Sequence, residues 1–196
     1  MMNGDFKINP QPPIIFFIMA VKLFALHKYL DSASREELVK EINDLYKLFP
    51  AVQEYYQAKL SDVEDGEDAL LKKYKKIVKN EFMPDRGLGK ARLSIARKAI
   101  ADFKKIAKNK NNIADIMVYY VEMGVEFTNA YGDIDESFYN SMEGMYDAAC
   151  EYIKIHNLTG VFIQRMRQMV QATSGIGWGF HDDLSDMFHN YFGKYE

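Results

Sequence analysis

The stretch NIADIMVYYVEMGVEFTNAYG, Asn112 to Gly132, decides the fold. Between Ile113 and Ala130 apolar residues fall on nearly every side of a helical wheel, no proline interrupts, and Gly132 supplies a stop. The pattern predicts a helix buried around most of its circumference. One narrow stripe is polar: Asp115, Tyr119, Glu122 and Glu126 stand at i, i+4, i+7 and i+11, which places them on one face. Carboxylates in apolar surroundings have to be paired, protonated or metal-bound, because an unpaired buried charge is very costly. Arg165 and Arg167 are the candidate partners, and ion pairing is the leading reading of the stripe.

Amphipathic periodicity continues on both sides of this helix. All five prolines lie at or before Pro84, so residues 85–196 are free of them. Leu23, Leu26, His27 and Leu30 open a short helix, and Ser34 with Glu37 makes a capping box ahead of Leu38, Ile42, Leu45 and Leu48. Pro50 suits the first position of the next helix. After the polar stretch SDVEDGED, Leu70, Leu71, Tyr74, Ile77, Val78 and Phe82 recur at helical spacing until MPDRGLG breaks the pattern. Leu93, Ala96, Ile100 and Phe103 form the next stripe, and Asn111 or Asn112 is expected to cap the central helix. Beyond Gly132, Asp133 and Glu136 read as a second capping box, Gly160 as a break, and TSGIGWG as a turn into a last helix. The expected architecture is all-α: eight or nine helices in antiparallel hairpins around residues 113–130, without a convincing sheet or fixed-period repeat.

At 196 residues with no interior Ser/Gly/Pro-rich linker, one domain over residues 19–196 is expected. A hydrophobic share of 48% beside 27% charged residues argues against global disorder. The apolar run Ile14 to Val21 is interrupted by Lys22 before it reaches the ~20 residues that span a bilayer, so no membrane partner is expected. Residues 1–18 read as an extension upstream of a start at Met19, with a short strand or packed arm as the alternative. The single Cys150 excludes an intrachain disulfide, suits a cytoplasmic setting and sits on an apolar face as a core thiol.

Charge is segregated beneath a net value of −3. Residues 71–110 hold 14 Lys and Arg against Glu81, Asp85 and Asp102, a local +11 that leaves −14 for the rest. Lys72, Lys76 and Lys79 align on one helix, and Lys90, Arg97, Lys104 and Lys108 on the next, predicting a basic ridge with Tyr74 as an added stacking surface. A ridge of this kind takes an acidic protein or another copy of the chain through its acidic remainder. Nucleic acid is the alternative, although lysine predominates and no nucleic-acid-reading motif is present.

Catalytic signals are weaker. The candidates are Glu122, Glu126 and His181, with His181 following the turn that holds Gly175, Gly177, Trp178 and Gly179. The four residues Glu122, Glu126, His181 and Trp178 could share one pocket if that turn crossed the middle of the central helix, with Tyr119 or Tyr131 as hydrogen-bond donors. None of His27, His156, His181 and His189 follows a Glu by three residues, so no di-metal bundle motif is present and no metal is assigned. The Gly-x-Gly-x-Gly run lacks the strand and acidic residue of a dinucleotide site, so no cofactor is expected.

The runs KYLDSASREELVKEINDLYKLFPAVQEYY, MPDRGLGKARLSIARKAIADFKK, YYVEMGVEFTNAYGDIDESFYNSM and SGIGWGFHDDL resemble an uncharacterised bacterial family of domain-of-unknown-function proteins, small and helical. The resemblance covers about Val21 to Phe192 and implies no activity. The expected role, resting on the basic ridge of residues 72–108, is a non-catalytic helical interaction module.

Overall fold

A computed structural model describes residues 22–60 and 65–193. Nine α-helices and no strand are present among them: α1 Leu23–Ser32, α2 Arg35–Leu48, α3 Pro50–Leu60, α4 Asp65–Phe82, α5 Leu93–Ile106, α6 Lys110–Tyr131, α7 Glu136–Ile155, α8 Thr159–Ala172 and α9 Phe180–Phe192. The expected all-α class holds. Residues 1–18, with the proposed Met19 start, lie outside the described residues.

The chain divides into two compact units at Leu48 and Phe49. In the first, the Ser34–Glu37 capping box forms reciprocally: the Ser34 N–H donates to Glu37 Oε2 at 2.8 Å and the Glu37 N–H to Ser34 Oγ at 3.2 Å. Those bonds hold the Glu37 carboxyl below its usual range. Tyr29 Oη donates to Glu41 at 3.0 Å, tying α1 to α2, and no residue of either helix is buried.

The second unit is built on α6, which packs against α4, α5, α7 and α8. Twelve of its residues are buried, among them Ile113, Ile116, Met117, Val118, Tyr120, Val121, Val125 and Phe127, as the all-round apolar pattern requires. Two antiparallel pairings position it. Across α4 and α5, Glu81 meets Arg92 while Tyr74 meets Phe103. Across α6 and α7, Thr128 meets Tyr139, and Gly124 lies so close to Met142 that an added Cβ would stand 2.1 Å from its Sδ. Phe82 sits edge-on to Tyr120, Phe127 and Phe138 with ring centroids 5.4–6.3 Å away, a geometry aromatic quadrupoles favour.

Buried polar groups are answered inside this core. The Tyr120 hydroxyl meets Ser141 at 2.8 Å, Tyr139 meets Thr128 at 2.7 Å, and Tyr146 donates to the Met166 carbonyl at 3.2 Å. Cys150 is buried, and burial raises its thiol pKa far enough to keep it protonated.

The helix ends differ from the sequence reading in three places. Asn109, not Asn111 or Asn112, caps α6, accepting from the Asn111 N–H at 2.9 Å. Asn112 is committed elsewhere, donating to Glu67 and Asp68 at 3.3 and 3.0 Å. Asp135, not Asp133, caps α7 through the Phe138 N–H at 2.9 Å, because Asp133 accepts from the Tyr139 hydroxyl at 3.0 Å. Gly160 lies inside the first turn of α8, and the chain breaks instead at Asn157, whose φ is +57°.

Two buried carboxylates organise the loops. Glu67 is only 2% exposed and accepts from the Lys108 and Asn109 N–H groups at 2.9 and 3.0 Å, so α4 anchors the entry to α6. Glu81, 4% exposed, is held by the Arg92 fork at 2.8 and 2.9 Å, while its carbonyl accepts from the Ala91 N–H at 2.7 Å. MPDRGLG is thus a wrap over the end of α4, and only glycine fits at position 89, where a Cβ would fall 1.8 Å from the Phe82 carbonyl oxygen.

Replacing Glu67 with Leu strips the Lys108 and Asn109 N–H groups of their acceptor. The expected loss is about 1–3 kcal/mol of unfolding free energy, measured by urea denaturation. An unchanged midpoint contradicts the anchoring role.

Candidate functional site

The polar stripe of α6 meets its cation from α8. Arg165 Nε and Nη2 donate to Glu122 Oε1 and Oε2 at 2.8 and 2.7 Å, and Nη1 donates to Asp115 Oδ1 at 2.6 Å. The other Asp115 oxygen accepts from Lys75 Nζ of α4 at 2.5 Å, and the same ammonium stands 4.8 Å from the Tyr119 ring centroid. Burial alone lowers the Arg165 pKa, but the hydrogen bonds and charges of Glu122 and Asp115 outweigh it and raise it further above its ordinary value. Arg165 is one of the two arginines anticipated from sequence. Arg167 lies 5.9 Å from the Phe188 ring.

Spacing places four residues on one stripe, but only three join this network. Glu126 is exposed and makes no hydrogen bond or ion pair with a described residue. It lines an open groove of about 590 Å³ with Glu122, Val125, Asn129 and Ala130 of α6, Arg165, Gln168, Met169 and Ala172 of α8, and Met83. Asn129 Nδ2 donates to the Ala172 carbonyl at 3.0 Å, closing one end.

His181 and Trp178 do not line this groove. Arg165 meets Glu122 while Ala172 meets Asn129, so α8 runs parallel to α6, and the turn after α8 lands beyond the end of α6, not across its middle. Gly177 there lies so close to Asp133 that an added Cβ would stand 2.9 Å from Oδ2. His181 Nδ1 is 3.0 Å from both Thr173 Oγ1 and the Val170 carbonyl, which ties the start of α9 to the end of α8 and requires Nδ1 to carry the proton. Trp178 is 58% exposed with φ +62°. Tyr131 rests against Phe127 at 4.8 Å, and Tyr119 serves Lys75 as a ring face. Among the described residues no group of three or more His, Cys, Asp or Glu could hold a metal ion.

The basic segment is partly neutralised. Lys73 pairs with Glu54, Lys75 with Asp115, Lys79 with Asp85 at 2.7 Å, Arg92 with Glu81, and Lys98 and Lys105 with Asp102. The Asp85 bond raises the Lys79 pKa and lowers that of Asp85. Lys72, Lys76, Lys90, Arg97, Lys104 and Lys108 are exposed and form no ion pair with a described residue. Lys90 and Lys108 lie just outside α5, not on it as the spacing suggested, because the Arg92–Glu81 bond delays the helix to Leu93 and the chain turns extended at Ala107. The neighbours of the two helical groups differ. On α4, Lys75 and Lys79 border the α6 face carrying Asp115, Tyr119 and Glu126, whereas Lys104 of α5 lies 5.7 Å from the Tyr152 ring on α7. Tyr74 is a correction: it is 9% exposed, donates to Glu54 at 2.6 Å and packs on Phe103, so it offers no stacking surface.

Sequence reasoning missed Glu67, Glu81 and the link from Lys75 to Asp115. Each joins a helix to a loop or helix elsewhere in the chain, and no local pattern marks them. The Asn129 and Gln168 amides in the groove carry no signal beyond their helical spacing.

Residues 22–192 match a family described as "Family of unknown function". The chain belongs to this family, DUF6155. Its span agrees with the resemblance read from the quoted runs, and it brings no activity or partner to this DUF6155 chain. No curated protein and no solved structure matches the sequence.

The Arg165 network generates a stability prediction. Arg165→Met leaves the part-buried Glu122 without its cation and Asp115 with Lys75 alone, and is expected to cost about 2–4 kcal/mol in urea unfolding. Adding Glu122→Gln to that variant recovers part of the loss. If the two changes simply add, Arg165 and Glu122 are not coupled.

Proposed function

We propose that this chain is a non-catalytic helical binding module that takes an acidic protein surface, including the acidic remainder of a second copy, through the cations of residues 72–108. One observation carries the reading: Lys72, Lys76, Lys90, Arg97, Lys104 and Lys108 stay free of ion pairs with described residues, while six cations interleaved with them are neutralised within the fold. Unpaired surface ammonium groups are strongly hydrated point charges that attract carboxylates with little geometric demand.

The burial of Tyr74 favours a protein partner over nucleic acid, because single-strand binders stack bases on exposed aromatic rings. Catalysis through Glu122, Glu126 and His181 finds less support, since Arg165 occupies Glu122 and His181 is bonded to the end of α8. No described helix is long and apolar enough to cross a membrane, and the buried thiol of Cys150 fits a cytoplasmic setting.

Poly-L-glutamate and a generic single-stranded RNA, titrated against the full chain across salt, test the proposal. Poly-L-glutamate is expected to bind at low salt and weaken as salt screens the contacts, with RNA clearly weaker. Neutralising Lys72 and Lys76 to Gln, and separately Arg97 and Lys104, identifies which helix contributes. Tighter RNA binding transfers the site to the nucleic-acid reading, and binding of neither polyanion overturns the basic surface as a site.

A further inference from the structure

We infer that the groove between α6 and α8 is a binding site for a small organic cation, an ammonium head on an apolar body. This goes beyond the basic surface and uses none of its unpaired lysines.

The groove's size is the first support. About 590 Å³ falls within the range of pockets that enclose small molecules. Its lining is largely apolar: Val125 and Met169 are 4% exposed, the small side chains of Ala130 and Ala172 leave room beside them, and Met83 adds an adaptable thioether side chain.

The sign of the head group follows from local charge balance. Lys75, Asp115, Arg165 and Glu122 form a connected set with two positive and two negative charges, and its two members on the lining, Arg165 and Glu122, carry one of each sign. Lys79, whose charge is close enough to feel Glu126, is held by Asp85 at 2.7 Å. Glu126 is left on the lining as a carboxylate with no hydrogen bond or ion pair to a described residue. One helical turn further, Asn129 spends an amide N–H on the Ala172 carbonyl, which leaves its own carbonyl oxygen as an acceptor on the same side of α6. Three ammonium N–H donors match acceptors of this kind, whereas a carboxylate head would meet the repulsion of Glu126. Arg165 does not reverse that preference, because its charge is already engaged by two carboxylates.

A matched pair of probes isolates the charge. With ¹³C-methyl methionine in the full chain, n-hexylammonium is expected to shift the Met83 and Met169 methyl signals saturably, while Met142, buried between α6 and α7, stays fixed as an internal reference. Hexanoate, which shares the apolar chain and inverts the charge, is expected to bind at least about tenfold more weakly. Glu126→Gln is exposed and should fold normally; its expected effect is about a tenfold loss for n-hexylammonium with an unchanged thermal midpoint. The proposal is overturned if neither methionine signal moves saturably, if hexanoate binds as well as n-hexylammonium, or if Glu126→Gln leaves n-hexylammonium affinity intact.

Discussion

An arginine from α8 sits between two carboxylates of the most buried helix, and the second unit's layout depends on it. Helix α6 is covered by four other helices, so its polar stripe cannot simply face water along its whole length. Arg165 resolves this by giving three of its five N–H donors to Asp115 and Glu122, with Lys75 completing Asp115 from the other side. Three helices are thereby tied at one point. The fork and the Asn129–Ala172 hydrogen bond hold α8 parallel to α6, and that orientation sends the Gly175–Gly179 turn past the end of α6 and brings His181 back onto the last turn of α8.

The same constraint shapes the groove. On its lining Arg165 is matched by Glu122, which leaves Glu126 as the carboxylate outside the network. On α4 and α5 the arrangement is different. There the ion pairs tie down Lys73, Lys75, Lys79, Arg92, Lys98 and Lys105 and leave the intervening cations to solvent. The +11 of residues 71–110 is thus partly a means of holding helices together and partly a surface property.

What was legible in the sequence was local or periodic. The Ser34–Glu37 box, the Pro50 helix start, the all-round apolar pattern of α6 and the pairing of its stripe with one of the two arginines at 165 and 167 follow from spacing and from the cost of buried charge. Choices among equivalent neighbours were not legible. Three asparagines cluster at the start of α6, and Glu67 and Asp68 take the side chain of Asn112 out of contention as the cap from over 40 residues away. Asp133 and Asp135 are equally good caps by local chemistry, and the Tyr139 hydroxyl selects between them. Tyr74 was legible as a member of the apolar stripe of α4 and not as a stacking surface beside the lysines; its ring is buried in that stripe, and Glu54 satisfies its hydroxyl. The turn's position was misplaced because the direction of α8 relative to α6 is a tertiary property with no trace in periodicity.

The most direct measurement is the solution NMR signature of the Arg165 guanidinium. A fork held by Glu122 and Asp115 predicts a slowly exchanging Nε–H and restricted rotation of the Nη groups near neutral pH, set against the exposed, unpaired Arg97 in the same spectrum. Exchange and rotation of Arg165 as fast as those of Arg97 would contradict the account, because α8 would then be held to α6 without the fork, by apolar packing and the Asn129–Ala172 hydrogen bond.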